Sequence, residues 1–225
     1  MTTVVSPVVL GLPCARMRKY MILLRRDTMA WNPEIDRIGH QSAFEALFAR
    51  GLTMYGHELL RSPPEPLAEM RRAMAEARGL PPAQASGKEW KWFHILPPGI
   101  RHNVKSSEAR CRIAGTAGAS SLITATQRTK YASIMPVCPA ILRNIVIWWT
   151  HLRRPAHPPE HFELMGWKMF PGEGASDDEV ECASFSSMVA QLSPKLQASL
   201  VGNGFHLGAV GCSIIFALAG SWRVG

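Results

Sequence analysis

Four places in the chain hold residues whose type and spacing suit chemistry. Arg16 and Arg18 stand just before an apolar run at 19–24. An arginine fork suits a carbonyl oxygen or a phosphate. Pro13-Cys14 precedes them, and a cysteine thiolate is a nucleophile. No acidic partner motif follows Cys14, so it is expected to be a small buried or loop cysteine; Cys138, before Pro139, has no catalytic context either. His157-Pro158-Pro159-Glu160-His161 has the His-x-x-Glu-His spacing of a zinc-peptidase helix, in which two histidines hold the metal and the glutamate is the base. Two prolines inside it fit only the first turn of a helix and push His157 out of helical geometry. Gly202-Asn203-Gly204 precedes an apolar helix. Such a turn permits a close backbone approach and offers free amides at a helix N-terminus, or is a plain cap on Asn203.

A broader signal is electrostatic. Lys and Arg number 25 against 17 Asp and Glu, a formal charge of +8, which favours an anionic partner. Lys88, Trp90, Lys91, Trp92, Arg101, Lys105, Arg110 and Arg112 interleave cations with aromatics, as suits stacking on bases and contact with phosphates. The alternative is core tryptophans beside a solvated face. Gln127, Arg128 and Lys130 are further candidates for contact with a nucleic-acid backbone.

These residues must be positioned by elements that fit 225 residues, one ordinary domain or slightly more. The 47% hydrophobic content permits a core, while 17 prolines and 18 glycines exclude one continuous helical array. Five cysteines without regular spacing argue against a disulfide framework and for a reducing compartment. The pattern predicts a buried strand at 19–24 after a turn at 11–13, a loop at 31–36, and helices at 42–50 and 67–78. It predicts an irregular basic stretch at 81–118 and short strands at 121–125 and 131–135. A further apolar run spans 141–149, a short helix at 160–165 stops at Gly166, and an acidic loop covers 172–181. Helices follow at 196–200 and 205–219. The segment 205–222 is long enough to suggest a membrane span. His206 and the glycines in it favour a buried helix instead, and the first apolar stretch precedes its basic cluster, the reverse of a signal peptide.

Three stretches, in order, resemble the later motifs of DNA cytosine-5 methyltransferases. Gly11, Pro13, Arg16, Arg18 and Tyr20 are similar to a Gly-x-Pro-Gln-x-Arg-x-Arg-x-Tyr pattern that leads into a strand, with Cys14 in place of the glutamine. Arg154, Pro158, Glu160, Leu164, Met165, Gly166 and Trp167 resemble a second motif, with Lys168 where a proline is usual. Gly202-Asn203-Gly204-Phe205 resembles the closing Gly-Asn motif. Roughly 130 residues separate the first two, the place of that family's target recognition region.

The resemblance implies an α/β fold: part of a Rossmann-like methyltransferase fold with an irregular recognition region. Residues 1–36 would hold the strand with the arginine motif, 37–150 the recognition-like region, and 151–225 the return to the catalytic domain. It implies methyl transfer from S-adenosyl-L-methionine to cytosine in DNA. Arg18 would contact a flipped cytosine, and Arg16 would support the DNA backbone or a catalytic acid. Gly202, Asn203 and Gly204 would lie beside the cofactor. Ahead of the arginine motif these residues hold no Phe-x-Gly-x-Gly loop, Pro-Cys nucleophile or Glu-Asn-Val segment. The chain is therefore expected to be inactive alone, and to pair with a second chain carrying those motifs. The expected location is intracellular, the nucleus in a eukaryote, without a membrane partner. The rival classes are a non-catalytic nucleic-acid-binding protein and a zinc-peptidase-like site at His157, Glu160 and His161.

Overall fold

The computed structural model describes residues 2–25, 27–81, 90–115, 121–127, 137–170 and 180–224. Among these residues it is a mixed α/β fold with three small antiparallel sheets. The first sheet pairs β1 (Thr2–Val5) with β2 (Arg18–Met21), setting Thr2 opposite Met21 and Val5 opposite Arg18. The turn between them depends on Gly11. Its φ is +79°, and a Cβ there would lie 2.5 Å from the Gly51 carbonyl oxygen. The strand expected to be buried is not: Met21 is 64% and Leu23 83% exposed. Among the described residues β2 pairs with β1 alone, and its Lys19–Met21 face meets no second layer.

The second sheet joins two segments far apart in the chain. β3 (Met29–Trp31) runs antiparallel to β7 (Ser221–Arg223). The expected loop at 31–36 is instead the end of β3 and helix α1 (Pro33–Ile38). Asn32 caps it, its side-chain oxygen accepting from the Glu34 amide at 2.9 Å, and Pro33 takes the first turn. Helix α2 (His40–Phe48) turns Ala43 and Phe44 inward against helix α9 (Leu207–Gly220), where Phe44 meets Phe216 edge-on at 5.5 Å.

The third sheet is the antiparallel set β4 (Leu122–Thr124), β5 (Ile147–Trp149) and β6 (Arg154–Pro155). Only the last third of the 141–149 apolar run is strand, and the strand expected at 131–135 lies outside the described residues. Helix α3 (Pro64–Glu76) forms as the sequence predicts, with Gly79 at φ +64° just beyond it. The stretch read as irregular holds helix α4 (Trp92–Ile95) and the 16-residue helix α5 (Pro98–Ile113). Helix α5 buries only Val104, Ser107 and Cys111, one narrow stripe laid on Ile123 and Trp148.

Helix α6 (Pro158–Leu164) is almost wholly buried and stops before Gly166, whose φ is +85°. Helices α7 (Val180–Ala190) and α8 (Pro194–Asn203) follow. The residues Pro194–Gly220 together have the length and composition of a membrane span. The backbone leaves helical form at 204–206, however, and α9 alone has 14 residues, short of the ~20 a span requires.

One buried ion pair ties the third sheet to α6. Arg154 donates from both terminal nitrogens to Glu160, each at 2.8 Å. Glu160 is 0% exposed and also accepts from the Ser62 amide at 2.8 Å and the His157 amide at 2.7 Å. Arg154 reaches the Leu60 carbonyl at 3.2 Å. Replacing Glu160 with glutamine leaves a buried guanidinium without its counter-charge. We expect Glu160→Gln to cost about 3–5 kcal/mol in urea unfolding; a loss below ~1 kcal/mol would show that the pair is not needed.

Candidate functional site at the arginine loop

The loop 12–17 enters β2 beneath the C-terminal end of α8. Arg16, 1% exposed, is built into the protein. One terminal nitrogen donates to the Ile141 carbonyl. The other donates to the carbonyls of Gly202 at 2.8 Å and Gly204 at 2.9 Å. A helix C-terminus presents carbonyls without intrahelical donors at its negative dipole end, so a cationic fork is the matching partner. Burial, and then the nearby charge of Arg18, lower the Arg16 pKa.

This corrects two expectations. Arg16, expected to support the DNA backbone or a catalytic acid, is buried, and its two terminal nitrogens are spent on three carbonyls of the protein. Nor does Gly202-Asn203-Gly204 start a helix with free amides. It ends α8, with Gly204 as the cap, and the following helix starts only at Leu207. The need for glycine at 202 is a close approach: a Cβ would lie 2.4 Å from both N and Cα of Arg143. The close approach was expected, but its neighbour is the protein's own backbone.

Arg18 is different. It is half-buried on β2, and among the described residues its guanidinium has one hydrogen-bond partner, the Met17 carbonyl at 3.0 Å. Its remaining donors are open to a ligand. Tyr20 shares its face of the strand. The Tyr20 ring lies 6.2 Å from Phe205, and burial raises its pKa. Phe205 and Gly204 in turn line a 200 Å³ cavity with Trp167, Phe185 and Met165. Trp167 and Phe185 stack at 4.9 Å. Sequence reasoning missed this aromatic cavity, because its residues are scattered over α6, α7, α8 and the turns between them.

The three motif-bearing segments meet here. The Leu207 amide donates to the Met165 carbonyl at 2.9 Å. His206 is buried, and its ring lies 3.1 Å from where a Cβ on Gly166 would stand. Burial, and then the charge of Arg16, lower the His206 pKa to about 4.

The zinc reading fails on geometry. The Glu160 carboxylate is saturated by Arg154 and two amides, and His157 Nδ1 is engaged with the Ser62 hydroxyl at 3.0 Å. His161 is buried, with its pKa lowered to about 4 by that burial. Among the described residues no group of three or more His, Cys, Asp or Glu could hold a metal. Cys14 is fully buried, as expected.

The cation-rich candidates divide. Residues 90–154 carry ten Lys and Arg against one acid, Glu108. Arg101, Lys105 and Arg112 fall on one stripe of α5. Lys105 sits over the Phe93 ring at 5.6 Å, and Arg153 over the same ring at 5.5 Å. Trp90 donates to the Pro81 carbonyl at 3.0 Å, and Trp92 packs beneath Arg71 at 5.7 Å. The described aromatics of this region therefore anchor cations and the core. Gln127 is half-exposed beside β4, while Arg128, Lys130 and Lys88 lie outside the described residues.

Compared with models of known protein families and with curated proteins, the chain matches none.

The two buried histidines set a pH dependence. Each has a folded pKa near 4, below its ordinary 6.5. Between those values the unfolded chain binds more protons than the folded one, so stability is intact above pH 6.5 and falls as the pH drops toward 4. The loss is on the order of 3 kcal/mol per histidine. We expect the urea midpoint to drop steeply between pH 6.5 and 4.5, and His206→Gln to flatten that slope. An unchanged slope in the variant would remove His206 from the account.

Proposed function

We propose that this chain supplies the arginine strand, the recognition region and the closing helix of a DNA cytosine-5 methyltransferase. One observation carries the reading. Arg16 bonds directly to Gly202 and Gly204, 186 and 188 residues away, so the first and last of the three resembling motifs form one site. The second motif joins them through Met165 and Gly166.

The division of labour follows from burial. Arg16 is a positioning residue that fixes the loop. Arg18, with open donors two residues on, is the group placed to hold the carbonyl oxygen of a flipped cytosine. Cys14 is not the nucleophile, since it is fully buried against Cys138. On this reading the thiolate that adds to the ring is supplied by another polypeptide. After that addition the ring takes the methyl, and elimination restores its aromaticity.

S-adenosyl-L-methionine, when bound, would supply the electrophilic methyl group. The residues here would offer it an aromatic wall and no polar side chain within that cavity. The exposed Asn203 side-chain amide has no hydrogen-bond partner among the described residues, and the 200 Å³ aromatic cavity lined by the next two residues is smaller than a whole small-molecule site. No acidic side chain lines that cavity to take the hydroxyl groups of a ribose.

The finer fold reading rests on what is left uncovered. Ile214, Ile215 and Leu218 of α9 are 51%, 56% and 74% exposed, an apolar stripe on a helix whose other side is core. The β1–β2 pair alone is too small to form the platform of a Rossmann-like domain. A second polypeptide carrying the nucleophile, the cofactor loop and further strands fits both features.

A second reading is favoured by the α5 stripe alone: a non-catalytic module that grips phosphates. Three experiments test these readings. Incubated with duplex DNA and methyl-labelled S-adenosyl-L-methionine, the purified chain is expected to transfer no label; transfer above background would overturn the missing-nucleophile argument. Binding to duplex DNA is expected to fall steeply with salt. Removing Lys105 and Arg112 together should reduce the log–log slope by about 2, and salt-independent binding would refute the phosphate stripe. Arg18→Ala should abolish any preference for a duplex with an unpaired cytosine while keeping the salt slope. A variant that retains that preference would leave only the non-catalytic module.

A further inference from the structure

Two thiols face each other where the arginine loop crosses the segment before β5. Cys14 and Cys138 are partners in an isolated parallel bridge. The Ala15 amide donates to the Cys138 carbonyl and the Cys138 amide to the Pro13 carbonyl, both at 2.8 Å. Neighbouring strands lie about 4.8 Å apart, and Cα separations of roughly 4.4–6.8 Å accept a disulfide. Cys138 Sγ donates to the Pro139 carbonyl at 3.2 Å. Both cysteines are 0% exposed and neither is oxidised.

We propose that Cys14 and Cys138 form a redox-sensitive pair that closes to a disulfide and locks the arginine loop onto residues 138–141. Oxidised glutathione is the oxidant class. One cysteine thiolate attacks it and releases one glutathione thiolate. The second attacks the resulting mixed disulfide and releases the other. Two protons leave the protein thiols, and the glutathione disulfide takes up the two electrons. Burial pushes the Cys138 thiol well above its ordinary pKa. The Gly56 backbone also closes over the bridge: a Cβ there would lie 3.1 Å from the Cys138 amide nitrogen. Reaction therefore requires local opening, and closure is slow and persistent. The bond would reinforce the Arg16–Ile141 contact three residues further on, within the same crossing.

The test uses the whole chain. It is held in oxidised or reduced glutathione, then denatured, alkylated and weighed, with peptide mapping and a thermal melt. Oxidation should leave three of the five cysteines open to alkylation, with a mapped Cys14–Cys138 peptide. It should raise Tm by roughly 5–15 °C, because the bond closes a very long loop. Cys14→Ser and Cys138→Ser should each abolish both changes. Five alkylated cysteines after prolonged oxidation, a lasting glutathione adduct or a bond to another cysteine would overturn the proposal. A bond that forms without raising Tm would overturn the lock. The wild-type map decides the question even where a serine variant fails to fold, and neither readout depends on the methyltransferase reading.

Discussion

The C-terminus of α8 is the point on which the arrangement turns. A helix that ends inside a protein leaves carbonyls without donors, and each one buried unpaired costs free energy. Here the missing donors come from a loop nearly two hundred residues earlier. Arg16 satisfies Gly202, Gly204 and Ile141 with one planar group. A lysine would bring a point charge with no fixed fork, and could not hold three carbonyls in one plane. The contact also explains Gly202. The helix end must lie against residues 142–143 for the carbonyls to reach the guanidinium, and only a residue without a Cβ permits that approach.

Arg154 solves a related problem differently. It meets a carboxylate, and Glu160 spends what remains of its capacity on two backbone amides. Neither arginine is free to touch a ligand. Burying such a charge is costly, and its worth lies in specifying one arrangement of loop, sheet and helix. Arg16 leaves its neighbour in the opposite condition. Arg18, on the same short stretch, keeps its donors because Arg16 already fills the carbonyl sites.

Much of this was legible where a proline starts a helix and a glycine ends it, as at α3 and α6. It was illegible where the signal was tertiary. Helix α5 hides because only Val104, Ser107 and Cys111 are buried in 16 residues, too sparse a stripe to stand out among charges. Helix α1 hides because Asn32-Pro33 suits a turn as well as a capped helix. The Gly202-Asn203-Gly204 turn shows the deeper ambiguity. Between two helices, the same residues can close the first or open the second, and only the position of Arg16 decides. Likewise nothing in the sequence separates a buried arginine from an exposed one two residues away. The aromatic cavity had no linear signal at all.

What can act is then found by subtraction. The His157 ring, Glu160, Glu163, Arg154 and Arg16 are all committed to holding the fold: Glu163, for instance, accepts from the Met169 and Phe170 amides. The groups left open near the converging motifs are the Arg18 guanidinium, the Asn203 amide and the Phe205 edge of the cavity. They sit on β2 and on the turn after α8, the two segments that Arg16 joins. An anchored arginine two residues from one whose guanidinium bonds only the Met17 carbonyl among the described residues fixes that second group while leaving most of its donors unfilled. Such a group can still gain hydrogen bonds, since only a donor already satisfied would gain nothing from a ligand. The exposed stripe of α9 follows from the same economy. The chain's own residues cover one side of that helix, and the other side keeps Ile214, Ile215 and Leu218 exposed.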